Sequence, residues 1–396
     1  MPTYTGNHDA LIDVPGVSVI HYTDDANQKK IMMAHDPLSV IHQHFAYETP
    51  HIKEKIRQGL ANNSTWVVAT SYEWGSAQLG IAMPTATAIF IEYKDVRTYN
   101  SNDMGIGSKR RLKENNAPCH PIELSPHWQH QDFMLAIAHA KQCITEGDVY
   151  QLNISYPCTI TSNHTIQDVY RHMQNHHSPS HGAFICTDEW AIASASPEEL
   201  FYMRNGHIRT QPIKGTIGRS TDSDADNRAR LALLASKKDH AELLMITDLM
   251  RNDLGQLAQP GSVAVPHLCE IQPYHYVYHL ASCITATLRP EVTGWDALCA
   301  LAPGGSITGC PKVSACTHID RIEGGPRQFY TGHIGFISPK GEAAFNVAIR
   351  TCYKAAGTGI QTHTGCGITI DSNASDEYQE SRDKLGFLSP FAITAT

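Results

Sequence analysis

The feature that most constrains this chain is a helix signal that runs straight into a strict two-residue alternation. Phe133, Ile137, Ala140 and Ile144 recur at helical spacing, and Gly147 follows where a left-handed C-cap belongs. Tyr150, Leu152, Ile154 and Tyr156 then alternate with Gln151, Asn153 and Ser155. That period puts apolar side chains on one face of a strand and uncharged polar ones on the other. The apolar face needs a second layer to cover it. The polar face either meets solvent or lines a wet pocket.

Further strands are predicted at 183–194, 199–203, 262–268, 276–288, 328–337, 343–351 and 359–371. Helices are predicted at 227–237, 240–251, 294–301, 312–322 and 376–388. The strands come in antiparallel-looking groups separated by helices, not in a βαβ rhythm, so the expected class is α+β. Residues 1–124 are weakly patterned and rich in polar turns such as Asn62-Asn63-Ser64. They suggest an N-terminal subdomain ahead of a catalytic region over 125–390. The dinucleotide and phosphate-loop glycine patterns are both absent, so no nucleotide site is expected.

The net charge of −8 argues against a nucleic-acid binder that works through a basic surface. An anionic substrate stays possible, because a local cation cluster or a metal can reverse the field inside one cleft. The first residues lack the pattern of a signal peptide, and no apolar run is long enough to span a bilayer. Eleven cysteines without a C-x-x-C pair suggest reduced thiols in a cytoplasmic protein. His172, His176, His177 and His181 form a dense group, but no cysteine accompanies them. A solvated surface is the favoured reading there over zinc.

Four segments concentrate unusual polar groups. They are Ser196-Pro197-Glu198, the stretch from Lys238 through Glu242 to Gly255, Pro303 to Lys312, and Glu377 to Lys384 preceded by Gly365-Cys366-Gly367. Each has a local explanation. Asp239 and Glu242 fit a capping box, and Glu380 and Lys384 fit a surface i,i+4 pair. Pro311 suits a first helical turn. Together they carry more. Glu377, Glu380 and Lys384 fall on one helix face, and a carboxylate from another helix would add an oxygen ligand suited to Mg²⁺. Gly365 and Gly367 let backbone N–H groups approach an anion closely. Lys214 stands apart, in an uncharged stretch between Pro212 and Gly215, with Arg209 and Arg219 as charged neighbours in sequence. A desolvated lysine near cations has a depressed pKa and becomes a nucleophile.

On these motifs the chain resembles the chorismate-utilising enzymes, the family of component I of the anthranilate and aminodeoxychorismate synthases and of the isochorismate and salicylate synthases. The match runs over roughly 130–389. It takes in Gly147 to Asn153, Ser196-Pro197-Glu198, Asp248 to Gly261, Gly304 to Lys312, Asn346 to Thr351 and the closing helix. The resemblance implies two large antiparallel sheets packed together, with helices outside. It implies Mg²⁺ held by Glu242 and Glu380, with Glu377 acting through a water, and a substrate ring carboxylate on that metal beside Lys384. It implies Glu198 as the acid to a departing hydroxyl. Tyr330, Arg350 and the Gly365–Cys366–Gly367 backbone would hold the enolpyruvyl carboxylate, with His279 near that group. Gln151, Thr216 and Thr308, in the matching motifs, join the expected substrate contacts.

Two positions sort the activities of this family. Isochorismate-forming members resemble one another in a lysine where this chain has Gln151, which argues here for ammonia over water as nucleophile. Anthranilate-forming members resemble Pro-Ile-Ala-Gly-Thr where this chain has Pro212-Ile213-Lys214-Gly215-Thr216. The lysine version resembles the branch that makes 4-amino-4-deoxychorismate, for 4-aminobenzoate and folate, and the anthranilate branch is the alternative. In the first branch the lysine attacks ring C2, and ammonia then adds at C4. Gly218-Arg219 departs from the family's Pro-Arg. A Leu-Leu-Glu-Ser motif for tryptophan is not found, so tryptophan feedback is not expected. Cys366 does not fit a Gly-x-Cys-x-Gly elbow, so ammonia is expected from a separate glutamine amidotransferase subunit. A lyase segment is not expected beyond residue 396, and the step to 4-aminobenzoate is expected of another protein.

Overall fold

The structure is a computed structural model. It describes residues 12–13, 15–101, 121–177, 179–220, 222–273, 277–389 and 393–395. Two large sheets dominate, of eleven and ten strands among the described residues. The ladders are antiparallel, except where Ile393–Ala395 lies parallel to Ile122–Pro126. The α+β class with two large antiparallel sheets therefore holds.

In the first sheet Ile122–Pro126, Gln151–Thr161, Ile360–Ile368, Thr351–Ala355, Trp190–Ser194, Ala183–Cys186, Ser18–Thr23, Lys29–Ala34 and Val96–Asn100 lie side by side. The short strand Gly309–Cys310 pairs with Gln151 and Leu152. The second sheet runs Ile213–Gly218, Val277–Thr287, His207–Gln211, Glu199–Arg204, Ala343–Val347, His333–Ile337, Thr65–Thr70, Ala88–Tyr93 and Ser39–Gln43, with Ala264–Pro273 also on Val277–Thr287. The weakly patterned N-terminal region thus supplies strands to both sheets. Thr65–Thr70 is buried at every position, which is why its sequence shows no alternation.

Helix His130–Glu146 ends at Gly147 with φ 85, as its left-handed cap requires. The strand after it is buried on both faces from Gln151 to Tyr156. Its polar side chains therefore line the interior and do not meet solvent. Helix Lys237–Gly255 buries Leu243, Ile246, Met250 and Leu254 against the Val277–Thr287 strand. Removing each of these from water contributes roughly 1.5–3 kcal/mol, enough to hold the helix's polar edge at a set height over the sheet.

Several boundaries differ from expectation, each for a local reason. Asp222 caps a helix that starts at Ser223, and Ser236 separates it from the next. The 328–337 strand begins only at His333, because Gln328 and Thr331 take positive φ. The 343–351 strand ends at Val347, and Arg350, at φ 51, turns the chain before the next strand starts at Thr351. The closing helix Ala374–Asp383 tightens into a 3₁₀ turn at Lys384–Leu388. Among the described residues no helix is long and apolar enough to cross a membrane.

Candidate active site

The site forms where strand Ile360–Ile368 of one sheet meets strand Ile213–Gly218 of the other beneath helix Lys237–Gly255. Gly367 marks the meeting point. A Cβ added there would lie 2.7 Å from Gln151 Nε2, 2.8 Å from Lys214 Nζ and 3.3 Å from Glu242 Oε2. Three side chains from three elements thus converge on one bare backbone position. Lys214 Nζ is 3.3 Å from Glu242 Oε2, and Gln151 Nε2 donates to the same oxygen at 3.3 Å.

Local backbone geometry aims Lys214. Its strand slips register between Lys214 and Thr216 against Val277–Thr287. Gly215, at φ +72, supplies the left-handed residue of that bulge, and a Cβ on it would strike Leu233 Cδ1 at 2.8 Å. Thr216 lies opposite His279, and its hydroxyl is hydrogen-bonded to His279 Nδ1 at 2.8 Å.

The expected electrostatics of Lys214 are corrected here. Its sequence neighbours point elsewhere. Arg209 pairs with Glu199 at 2.8 Å and Arg219 with Asp226 at 3.2 Å. Burial alone would lower the lysine pKa, but Glu242, and then Glu380 and Glu198, outweigh it and raise the pKa above the usual lysine value. Carboxylates surround this lysine, not cations, and it stands as an ammonium.

Glu198 projects from a turn fastened by Ser196, whose Oγ accepts from the Glu198 N–H at 3.1 Å and donates to Val347 O at 2.6 Å. Burial pushes its carboxyl up to about 7, against opposing pulls from the Ser306 hydroxyl, Lys214 and the Ile213 N–H. A carboxylic acid near neutrality is what proton donation to a leaving group needs.

The expected capping role of Asp239 and Glu242 is also corrected. Ser236 is the cap, accepting from the Asp239 N–H, so Glu242 is free to turn inward, where it is 5 % exposed. Glu377 Oε1 accepts from Lys238 at 2.6 Å and from Ser372 at 2.7 Å. Glu377 Oε2 is buried with no hydrogen-bond partner among the protein atoms. Glu380 pairs with Lys384 at 2.8 Å, and Lys384 also donates to Gly365 O at 3.0 Å. Burial works against ionisation of Glu380, yet Lys384, Lys214 and Lys238 together hold its pKa below the usual range. Each of the three carboxylates thus has a lysine beside it.

These carboxylates suit a hard cation in part. The donors are all oxygen, and one buried carboxylate oxygen is unpaired. Among the described residues no group of three or more His, Cys, Asp or Glu side chains is arranged to hold a metal by itself. Such a partial oxygen set fits Mg²⁺, which keeps waters and accepts substrate oxygens, better than a cation that needs a full protein cage.

Arg350 is half-buried, and its guanidinium has no acidic partner among the described residues. Burial lowers its pKa. His279 lies close enough to feel that charge, and burial followed by Arg350 brings its pKa down to about 4, so the imidazole is neutral. An unpaired, desolvated guanidinium beside a neutral imidazole is an arrangement that awaits an anion.

Other expected contacts fall outside this cluster. Thr308 spends its hydroxyl on Gly304 O and Gly305 O at 2.9 and 3.3 Å, which braces its own loop. Cys366 turns to the opposite face of its strand from Gly365 and Gly367, and its thiol donates to Glu377 O at 3.5 Å. Tyr330 stacks on His363 at 5.2 Å, and no described hydrogen bond joins it to Arg350. The histidine segment is solvated only in part: His176 is exposed, His172 and His177 are half-buried, and His181 is buried. Ten cysteines are free thiols among the described residues.

Sequence reasoning missed three participants. Lys238 sits four residues before Glu242 on the same helix face, a spacing that could have found it. Ser306 and Ser372 lie in turns, and only the folded chain brings them to Glu198 and Glu377.

Residues 42–390 match the family described as chorismate binding enzyme, and the chain belongs to that family. It is 38 % identical over 281 residues to aminodeoxychorismate synthase component 1 of Salmonella typhimurium, covering 70 % of this chain and 62 % of that protein. It is 42 % identical over 243 residues to the Klebsiella aerogenes protein of the same name, covering 60 % and 53 %. It is also 35 % identical over 250 residues to anthranilate synthase component 1 of Saccharolobus solfataricus, covering 63 % of this chain and 59 % of that protein. The chain therefore spans about three-fifths or less of the length of these relatives. The crystal structure of anthranilate synthase component I from Streptococcus pneumoniae superposes with a TM-score of 0.77 at 24 % identity, covering 90 % of this chain and 91 % of that one. At that identity the likeness speaks for the fold alone.

Proposed function

We propose that this chain converts chorismate and ammonia to 4-amino-4-deoxychorismate, as a component I of aminodeoxychorismate synthase, with the ammonia delivered by a glutamine amidotransferase subunit. The observation that carries the reading is the position of Lys214. It is a half-buried amine set between Glu242 and the bare backbone of Gly367, and its charge also reaches the Glu198 carboxyl. A solvated turn lysine would have none of these neighbours.

In this reading Arg350 and the Gly365–Gly367 backbone hold the enolpyruvyl carboxylate, and His279, fixed by Thr216, packs beside it. Lys214 Nζ passes a proton to the Glu198 carboxylate and bonds to ring C2 as the C4–oxygen bond breaks, and Glu198 gives that proton to the departing oxygen, which leaves as water. Ammonia then bonds to C4, the C2–Nζ bond breaks, and the surplus ammonium proton returns to Glu198. Glu242 and Glu380, with Glu377 through a water, would hold Mg²⁺, and the bound ion would neutralise the ring carboxylate. Lys384 stands beside that carboxylate.

The test is product identification by mass spectrometry after incubating the chain with chorismate, Mg²⁺ and ammonium. Aminodeoxychorismate is expected, and Lys214→Ala is expected to abolish it while chorismate still binds. Parental-rate aminodeoxychorismate from Lys214→Ala would sink the nucleophile role. Anthranilate as the parental product would move the chain to the other branch.

A further inference from the structure

Beside Glu198 lies a small cavity whose lining includes Leu200, Thr210, Met250, Ser306 and Val347. Glu198, Thr210 and Ser306 bring polar side chains to it, and Glu199 also borders it, with its carboxylate paired to Arg209 at 2.8 Å. The space open to the centre of a water molecule is about 10 Å³, enough for a single water. Thr210 faces inward from strand His207–Gln211, which buries Ile208 and Thr210 on one face. It is 1 % exposed, and its Oγ1 has no hydrogen-bond partner among the protein atoms. Valine would fill the same shape without an orphaned hydroxyl, so a threonine at a core strand position calls for a reason.

We propose that this cavity holds one ordered water joining Thr210 Oγ1 to the Glu198 carboxyl beside Ser306, and that Thr210 is thereby a positioning residue for the acid of the proposed reaction. The role rests on that functional reading, whereas the water site itself does not. Thr210 donates to the water oxygen. The water donates one hydrogen to the carboxyl oxygen turned away from the substrate, which leaves the acidic proton on the oxygen turned toward it. When that proton passes to the leaving oxygen, the same water hydrogen bond is made to a carboxylate and becomes stronger. The interaction therefore stabilises the transition state more than the ground state.

Two variants separate this role from packing. Thr210→Val keeps the shape and removes the hydroxyl, whereas Thr210→Ser keeps the hydroxyl and removes a methyl group. If the hydroxyl acts through the water, Thr210→Val lowers kcat by about tenfold or more at unchanged KM, and Thr210→Ser stays near the parental rate. A packing role predicts the reverse order, with Val near parental and Ser impaired, and that result would overturn the proposal.

A crystal structure at a resolution that reveals ordered waters decides the site independently of activity. A water within hydrogen-bond distance of both Thr210 Oγ1 and Glu198, and lost in Thr210→Val, is expected. A dry cavity in the parental protein would overturn the inference. If the parental chain makes no aminodeoxychorismate, the functional reading fails, and the electron density still decides the water.

Discussion

Gly367→Ala is the sharpest single test of the cradle. Its φ is not in the left-handed region, so alanine meets no backbone strain there, and the whole effect is steric. The new methyl would sit 2.8 Å from Lys214 Nζ and 2.7 Å from Gln151 Nε2, so both must retreat by about 0.6–0.7 Å to reach ordinary contact at 3.4 Å. Both atoms end flexible side chains, so retreat is cheap. Replacing glycine also restricts the unfolded chain, worth about 0.4–1 kcal/mol in favour of the fold. Stability should therefore change by no more than about 1 kcal/mol. Catalysis has no such tolerance, since a misplacement of about 1 Å costs on the order of a hundredfold. A displacement of this size should lower kcat/KM for chorismate by about ten- to a hundredfold, or about 1.4–2.7 kcal/mol of transition-state stabilisation. Gly365→Ala is the control. Its methyl would strike Ile154 O at 2.2 Å and Ser155 Cα at 2.7 Å, which are backbone atoms that cannot retreat, so this variant should lose stability. Steady-state rates with ammonium and thermal melts of both variants check the reasoning. Parental kcat/KM in Gly367→Ala would refute the convergence of Lys214, Gln151 and Glu242 on this position.

Arg350→Met removes a desolvated guanidinium with no acidic partner among the described residues, so the melting temperature should hold or rise while KM for chorismate climbs at least tenfold; an unchanged KM would remove Arg350 from the site. If the three carboxylates carry Mg²⁺, Glu242→Gln and Glu380→Gln should lose most turnover and keep the parental circular dichroism, and EDTA should stop the parental chain; turnover indifferent to EDTA would contradict the metal. His21, His181, His333 and His363 are buried, and burial first of all pushes their pKa values down to about 4, 4, 3 and 3. An unfolded histidine takes up a proton below about pH 6.5. The unfolded state therefore binds more protons as pH falls from there toward 4, and stability drops by on the order of 1.4 kcal/mol per unit for each histidine. Urea midpoints at pH 7 and pH 5 should differ clearly, and a flat profile would mean that these rings are not held neutral.

The sequence alone determined the class and the ingredients. Two-residue periods such as Leu152, Ile154 and Tyr156 against Gln151, Asn153 and Ser155 put apolar and polar side chains on opposite faces, and they specify a strand before any contact is known; only the fold shows that the polar face is buried too. Helical spacing likewise put Glu377, Glu380 and Lys384 on one face, Lys214 stood out in its uncharged stretch, and resemblance to a known family added Glu198, Glu242 and Arg350. Tertiary structure decided what those residues meet. Lys214 has arginines nearby in sequence and carboxylates nearby in space, because a bulge at Gly215 turns it toward helix Lys237–Gly255 while Arg209 and Arg219 turn to acids of their own. A pKa depends on distance through the fold and not along the chain, so its direction could not be read from neighbours in sequence. Thr65–Thr70 was illegible for a related reason. Apolar side chains on both of its buried faces, Trp66 and Val68 on one and Val67 and Ala69 on the other, leave no alternation to mark a strand, and only pairing with His333–Ile337 assigns it to a sheet.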